Sequence, residues 1–388
     1  MKRGKGNIKK MIKMIAAAAT MAGLLAMGMM LITGCGGGGT TASEPEVVIN
    51  PITGLEAEEA LPARPVQVSI PNAPDGAVPQ TGIAKADIIY EIPVEGQFTR
   101  LQAIYYTEFP ETVGPIRSVR YYFVDIAREY KAAHVGYGWG KKAHSYMESC
   151  GIYHINGMQD TDLFYRSDKK QAPNDAFIDW STIEKRADEE GWFEEEQTIK
   201  PWKFRDEQWK EEQKQAISDA KATIEELGES DDFEDAREVS KAQNILDQQE
   251  KAVNIRVNSN MTSLNTSTCK YDEETGTYKR YWFGEDYIDA ATGEPLEFSN
   301  ILVQYVQSRT MTDSETGLAD EKGRLEIDFN SKGEAMLFTE GKVVKGTWSK
   351  KDPDGRTVFK DENGKQFRFT PGKTWVYVID QNMKCAYE

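Results

Sequence analysis

The sequence predicts an α+β fold: a mixed α/β N-terminal module over residues 60–205, an inserted acidic helical hairpin over 206–251, and a β-rich antiparallel C-terminal module over 252–388. Three observations carry that expectation. Strand and helix patterns mix in the first stretch. The apolar spacing becomes purely helical in the second. Short β-branched and aromatic runs between glycine turns fill the third.

In the first stretch Val66, Val68 and Ile70 alternate with polar residues, the pattern of a half-buried strand. A second strand is expected over 87–95, with Ile88, Tyr90, Ile92 and Val94 on one face and Asp87, Glu91 and Glu95 on the other. Leu101 to Thr107 reads as a third strand, and Ala133 to Gly138 as another. After the Gly114-Pro115 break, Val119, Phe123, Ile126 and Tyr130 recur at helical spacing, so a helix is expected from Ser118 through Tyr130 with Ser118 as N-cap.

In the second stretch Trp209, Ile217, Ala220, Ile224 and Leu227 share one helical face, and Val239, Ala242, Ile245 and Leu246 share another. The Gly228-Glu229-Ser230-Asp231 break between them predicts an αα-hairpin, packed on itself or standing off the body. Residues 206–250 hold 15 acidic and 5 basic residues, a net of −10, most simply a solvated face. In the third stretch Thr275-Gly276, Thr292-Gly293, Glu340-Gly341, Asp352-Pro353-Asp354-Gly355 and Glu362-Asn363-Gly364 mark tight turns. An antiparallel meander, sandwich or small barrel is expected there. None of these turns has the spacing of a calcium loop.

The N-terminus carries an address. Lys2, Arg3, Lys5, Lys9, Lys10 and Lys13 precede an apolar run from Met14 to Ile32, the pattern of a secretory signal. The run is long enough to span a bilayer, so an uncleaved anchor is the alternative. Its end, Ile32-Thr33-Gly34-Cys35, resembles a bacterial lipobox, which implies cleavage of residues 1–34 and lipidation of Cys35. Two acyl chains on that sulfur anchor stably where one is marginal. Residues 35–59 then serve as the lipidated cysteine and flexible tether, beginning with Gly36 to Gly39. The expected location is the extracytoplasmic face of the cell membrane. Losing the six signal-segment cations takes the net charge from −16 to −22. That balance argues against nucleic acid as a partner, since phosphate neutralisation needs basic surface. With Cys35 lipidated, Cys150, Cys269 and Cys385 remain, an odd number. Three thiols are expected, with a Cys269–Cys385 bridge as the alternative.

A family resemblance runs through nearly the whole mature chain. The segments that carry it are Asn50-Pro51-Ile52-Thr53-Gly54-Leu55, Arg64-Pro65-Val66, Ala86-Asp87-Ile88-Ile89-Tyr90-Glu91 and Val113-Gly114-Pro115-Ile116-Arg117-Ser118-Val119-Arg120. They continue in Gly346-Thr347-Trp348 and Pro371-Gly372-Lys373-Thr374-Trp375. On these the chain resembles the YerB-like lipoprotein family, in an N-terminal and a C-terminal family module. The resemblance implies an extracytoplasmic lipoprotein without a settled activity. Ala172-Pro173-Asn174-Asp175 departs from the family's Ala-Pro-His-Asn, so no role for that histidine carries over, and the 206–250 hairpin reads as an insertion.

Among candidate ligand-binding residues, Glu91 and Glu95 are expected to point the same way, about 13 Å apart along a strand. Arg100 follows, and Arg117 and Arg120 flank the expected helix start, where the dipole disfavours cations. Two arginines there imply either a bound anion or carboxylates brought in by the fold. One reading is a polar cleft for a carboxylate- or phosphate-bearing envelope ligand. The other is an internal network in which Glu91, Glu95 and Asp125 pair with Arg100, Arg117 and Arg120. A cell-wall polymer hydrolase would instead use a carboxylate pair from Asp87, Glu91, Glu95 and Asp125, though nearby arginines depress the pKa its acid needs raised. His134, His144 and His154 lie ten residues apart, unlike metal motifs, and His134 beside Gly136 and Gly138 is the one expected to line a cleft. No phosphate-binding glycine loop or dinucleotide fingerprint is present, and no cofactor or metal is expected. The favoured function is non-catalytic binding of an envelope ligand or protein partner by a membrane-anchored protein.

Overall fold

The computed structural model describes residues 47–258, 266–312 and 317–388. The signal segment, Cys35 and the tether up to residue 46 lie outside the described residues. Among those described, no helix is long and apolar enough to cross a membrane.

The strands of the two larger sheets, in chain order, are β1 (Val66–Asn72), β2 (Ile88–Pro93), β3 (Thr99–Tyr105), β4 (Ala133–Gly136), β5 (His154–Asn156), β6 (Asn254–Asn258), β7 (Thr266–Asp272), β8 (Thr277–Trp282), β9 (Glu285–Asp286), β10 (Glu297–Phe298), β11 (Asn300–Val306), β12 (Lys332–Thr339), β13 (Lys342–Ser349), β14 (Val358–Asp361), β15 (Thr374–Asp380) and β16 (Cys385–Tyr387). The helices are α1 (Tyr121–Tyr130), α2 (Lys141–Ser149), α3 (Trp180–Glu189), α4 (Glu207–Leu227) and α5 (Phe233–Asp247).

A ten-stranded sheet in the order β14-β13-β12-β11-β15-β2-β3-β1-β4-β5 organises the molecule. The fold class is the expected α+β, but the sheet runs across the boundary at residue 252. Strand β2 pairs in parallel with β15, bringing Ile88 beside Thr374 and Glu91 beside Tyr377. The C-terminal stretch is therefore no separate barrel or sandwich. Strands β11 to β14 pair antiparallel in neighbouring steps, while β15 is parallel to both of its partners. The remaining strands form a smaller antiparallel sheet, β9-β8-β7-β6-β16, with β10 on β8. The Glu340-Gly341 turn between β12 and β13 has both central residues at positive φ, 51° and 69°. Such a turn matches the twist of the strands it joins, and glycine tolerates that conformation.

Both faces of the central strands are covered, and this changes the meaning of their alternation. On one face Ile88, Tyr90, Ile92, Ile104, Val376 and Val378 pack against Tyr122, Phe123 and Ile126 of α1. On the other, Val68, Ile70, Ile89, Leu101 and Tyr377 pack against Ile255, Val257, Tyr278 and Trp282 of the smaller sheet. Strands β1, β2, β3 and β15 are buried at every residue, so their polar positions lie inside the protein.

Helix α1 starts at Tyr121, not at Ser118. Residues 117–119 are committed elsewhere: Val119 N donates to Gly138 O at 2.9 Å, and Ser118 Oγ donates to Tyr137 O at 3.0 Å. Arg120 takes the N-cap position without a side-chain cap. Segment 133–156 folds as a parallel β4-α2-β5 unit, which sets His134 beside His154.

The hairpin is as the spacing predicts. Asp206 caps α4 by accepting from Trp209 N at 2.7 Å, and Asp232 caps α5 by accepting from Glu234 N at 2.9 Å. Ala220 and Ala242 are buried on the two helices. The three described cysteines are unbridged. Cys269 and Cys385 stand on strands that flank β6 on opposite sides, opposite Ile255 and Val257. Two strand spacings, about 9.6 Å, exceed the reach of a disulfide.

Candidate functional site

Strand β2 ends at Pro93, and a short 3-10 turn over Glu95–Gln97 carries Glu95 off it. Gly96 and Gln97 in that turn have φ of 73° and 62°. The two glutamates therefore do not share a face. Glu91 points at the smaller sheet, where Arg280 Nη2 reaches it at 2.9 Å. Asn72 Nδ2 and Thr99 Oγ1 donate to its other oxygen at 3.1 and 3.0 Å. Both members of this ion pair are buried, at 1% and 0% side-chain exposure.

Glu95 instead meets the arginines. Arg120 grips it with two parallel bonds, Nε to Oε2 at 2.9 Å and Nη2 to Oε1, and Arg100 Nη2 stands 3.8 Å from the same carboxylate. Burial works to raise the Glu95 pKa, but the Arg120 hydrogen bonds and charge, with Arg100 behind them, hold it below the usual carboxylate value. Arg100 is tied to the chain before α1, its Nη1 donating to Ser118 O at 2.5 Å. Burial, together with the charges of Arg120 and Arg117, pushes the Arg100 guanidinium down to about 9 against the pull of Glu95. Arg117 is lowered by burial too, relieved by Asp75 and worsened by Arg120. Its Nη1 lies 3.4 Å from Pro173 O. Asn174 donates to Asp75 Oδ1 at 3.0 Å on that side. Three guanidinium groups thus crowd one carboxylate, with Asp75 as the further negative charge near Arg117.

Beneath this cluster, under α1, lies a buried polar floor that sequence reasoning missed. Gln67 and Ser69 of β1 and Gln102 of β3 are wholly buried. Gln67 Nε2 donates to Gln102 Oε1 at 2.8 Å, and Gln102 Nε2 to Ser69 Oγ at 3.2 Å. The strand alternation flagged Gln67 and Ser69 as polar but placed them toward solvent. His134 on β4 is also buried, with neither ring nitrogen hydrogen-bonded to any described protein atom. It does not line a surface cleft. Burial, with His154 adding a little, pushes its pKa down to about 3, so it is neutral at physiological pH.

The other carboxylates sit in separate surroundings. Asp87 accepts from Tyr106 N at 2.7 Å, Thr107 N at 3.0 Å and Thr107 Oγ1 at 2.5 Å. Asp125 accepts from the Tyr146 hydroxyl at 2.7 Å and belongs to neither Glu91 nor the arginine cluster. The internal network is thus real for Glu95 with Arg100 and Arg120, while Glu91 draws its partner from the C-terminal stretch. The three histidines gather despite their spacing: the His144 ring stacks on Trp139 at 4.3 Å, and His154 meets Trp139 edge-on at 5.1 Å. Among the described residues no group of three His, Cys, Asp or Glu side chains is arranged to hold a metal ion.

An α+β protein with an N-terminal and a C-terminal module on one sheet matches a known class. Residues 52–193 match the N-terminal domain, and residues 253–376 the C-terminal domain, of a protein family of unknown function, DUF3048. Over 334 residues the chain is 32% identical to the "Putative lipoprotein YerB" of Bacillus subtilis (strain 168), covering 85% of each. It superposes on the crystal structure of YerB protein from Bacillus subtilis with a TM-score of 0.68 at 28% identity, covering 87% of this chain and 99% of that one. The chain belongs to the YerB-like DUF3048 family. Helices α4 and α5 fall between the two matched family domains.

Proposed function

We propose that the protein is a membrane-anchored extracytoplasmic lipoprotein that binds a carboxylate- or phosphate-bearing envelope ligand without transforming it. The address rests on the basic-apolar leader ending at Cys35 and on the name of the Bacillus subtilis relative. The binding role rests on one observation: Arg100, Arg117 and Arg120 surround Glu95, leaving cationic charge unneutralised in a chain of net charge −16. Guanidinium groups at part-exposed positions match planar anions through paired hydrogen bonds. Arg117, held at its tip by one long bond to Pro173 O, is the member most available to a ligand. The dispersed settings of Asp87, Glu91, Glu95 and Asp125 favour binding over a carboxylate-pair hydrolase.

The test has two arms. Tritiated palmitate should label the wild type and not Cys35→Ala; label retained by that variant defeats the anchor. Calorimetric titration of the full chain with inorganic phosphate and with glucuronate should show binding to at least one. Arg117→Ala should weaken it at least about tenfold at unchanged fold. A variant that binds as the wild type does sinks the anion site.

A further inference from the structure

A second polar cleft lies between α1 and α2 on one side and segments 307–309 and 326–330 on the other, with a cavity volume of about 1010 Å³. Clefts near this size take small organic ligands. Arg100, Arg117 and Arg120 are not among its lining residues, so it is separate from the anion site. Ile327 is the one aliphatic side chain among those lining it.

Its charges are largely spoken for. Lys142 Nζ and Arg309 Nη2 both reach Glu326, each at 2.7 Å, from opposite sides. Among the described residues that line it, no cation is left uncommitted to fix an anion. What remains is hydrogen-bonding capacity. Asp125 lines the cleft at only 4% exposure. Its orientation is fixed by the Tyr146 hydroxyl, which in turn accepts from Arg128 Nη1 at 2.7 Å. Asn330 also lines the cleft, and its Oδ1 is buried with no partner among the described protein atoms. A buried acceptor without a donor is costly unless a water or a ligand supplies one. Tyr121 and Tyr146 add part-exposed aromatic rings on the helical wall. Lys142 Nζ lies over the Tyr121 ring at 3.8 Å and the Arg128 guanidinium over that of Tyr146 at 5.6 Å, so each ring has one face left to a ligand.

We propose that this cleft binds a neutral glycan chain, its ring hydroxyls donating to Asp125 and to Asn330 Oδ1 and its flatter faces lying along Tyr121 and Tyr146. Each part of the lining has a counterpart in a sugar. Hydroxyl donors suit an acceptor-only carboxylate and a carboxamide oxygen. Carbon-bound hydrogens of a sugar ring suit an aromatic face, while the tyrosine hydroxyls stay in the polar network. A polyhydroxylated ligand needs no free cation, and the described residues that line the cleft leave none.

The full chain in detergent is titrated calorimetrically with tetra-N-acetylchitotetraose and with maltotetraose, both neutral. Binding of at least one is expected. Asn330→Ala should weaken it about tenfold, the effect of losing one buried hydrogen bond to the ligand. Tyr146→Phe should weaken it too, because it removes the hydroxyl that fixes the orientation of Asp125. Both variants should keep the wild-type circular dichroism spectrum. Arg117→Ala should bind the saccharide unchanged, which separates this site from the anion site. Failure of both saccharides to bind overturns the proposal. So do wild-type affinity in both cleft variants and binding of spermine in place of either saccharide.

Discussion

Glu91 and Glu95 begin four residues apart in sequence and end in opposite electrostatic worlds. Glu91 is sealed between two sheets, matched one to one with Arg280 and bonded by Asn72 and Thr99. The Arg280 guanidinium lies 3.9 Å from the Tyr287 ring centre and 4.2 Å from that of Trp375. A second buried carboxylate, on the other face of the main sheet, also takes its partners from the C-terminal stretch, here two cations. Glu129 accepts from Lys350 and Arg356 at 2.9 and 3.0 Å, and Arg356 is held between Tyr130 and Trp202. Both arrangements pair an N-terminal glutamate with C-terminal cations, so they tie the two family domains together. Glu95 is instead shared by two arginines, Arg100 and Arg120, with Arg117 close by and Asp75 beside it, at 23% exposure. A balanced buried pair specifies how parts assemble; an unbalanced, part-exposed cluster has capacity left for a ligand.

The largest effect that tests this contrast is expected at Glu91. Glu91→Ala leaves the Arg280 charge buried without its partner, a loss of about 3–5 kcal/mol. Urea unfolding of the single variant and of Glu91→Leu with Arg280→Met checks it. The double variant should recover most of the loss, because a matched apolar pair removes both charges at once. A double variant as unstable as the single one would show that the pair acts through shape instead of charge.

Glu95→Gln is expected to act differently. It removes charge-assisted bonds from Arg120 at a part-exposed position, costing about 1–2 kcal/mol. It also frees Arg100 and Arg120 from their shared carboxylate. Phosphate or glucuronate affinity should therefore rise as stability falls, measured by calorimetry beside urea unfolding. Affinity falling with stability would make Glu95 a ligand contact and erase the distinction from Glu91.

The local part of this picture is legible in the sequence. Phe123, Ile126 and Tyr130 announce α1, and Glu340-Gly341 announces its hairpin, because helical period and turn chemistry are short-range properties. The clustering of Arg100, Arg117 and Arg120 is equally local. What the sequence does not display is the pairing of β2 with β15, whose register joins Ile88 to Thr374. Without that contact nothing places Arg280 opposite Glu91, 189 residues away. The same omission turned Gln67 and Ser69 toward solvent: alternation shows that two faces differ, not that both are covered. Ser118 was lost as an N-cap for a related reason, since its neighbours pair with residues 137–139, a tertiary claim on the backbone.

The floor beneath the arginines supplies the most selective effect, one that depends on pH alone. His134 is neutral in the fold, its pKa pushed down to about 3 by burial, against about 6.5 in an unfolded chain. Above pH 6.5 neither state carries the proton, and His134 contributes no pH dependence. Below it the unfolded chain takes up a proton that the fold refuses, so stability is lost as pH falls from 6.5 toward 3 and no further below that. One unit under 6.5 the expected loss is about 1.4 kcal/mol. The measurement is a difference: urea midpoints against pH for the wild type and for His134→Gln. The wild-type curve should fall more steeply between pH 6.5 and 4.5, and parallel curves would show that water reaches the imidazole. That outcome would move His134 out of the sealed class that Glu91 defines and into the open one of Glu95.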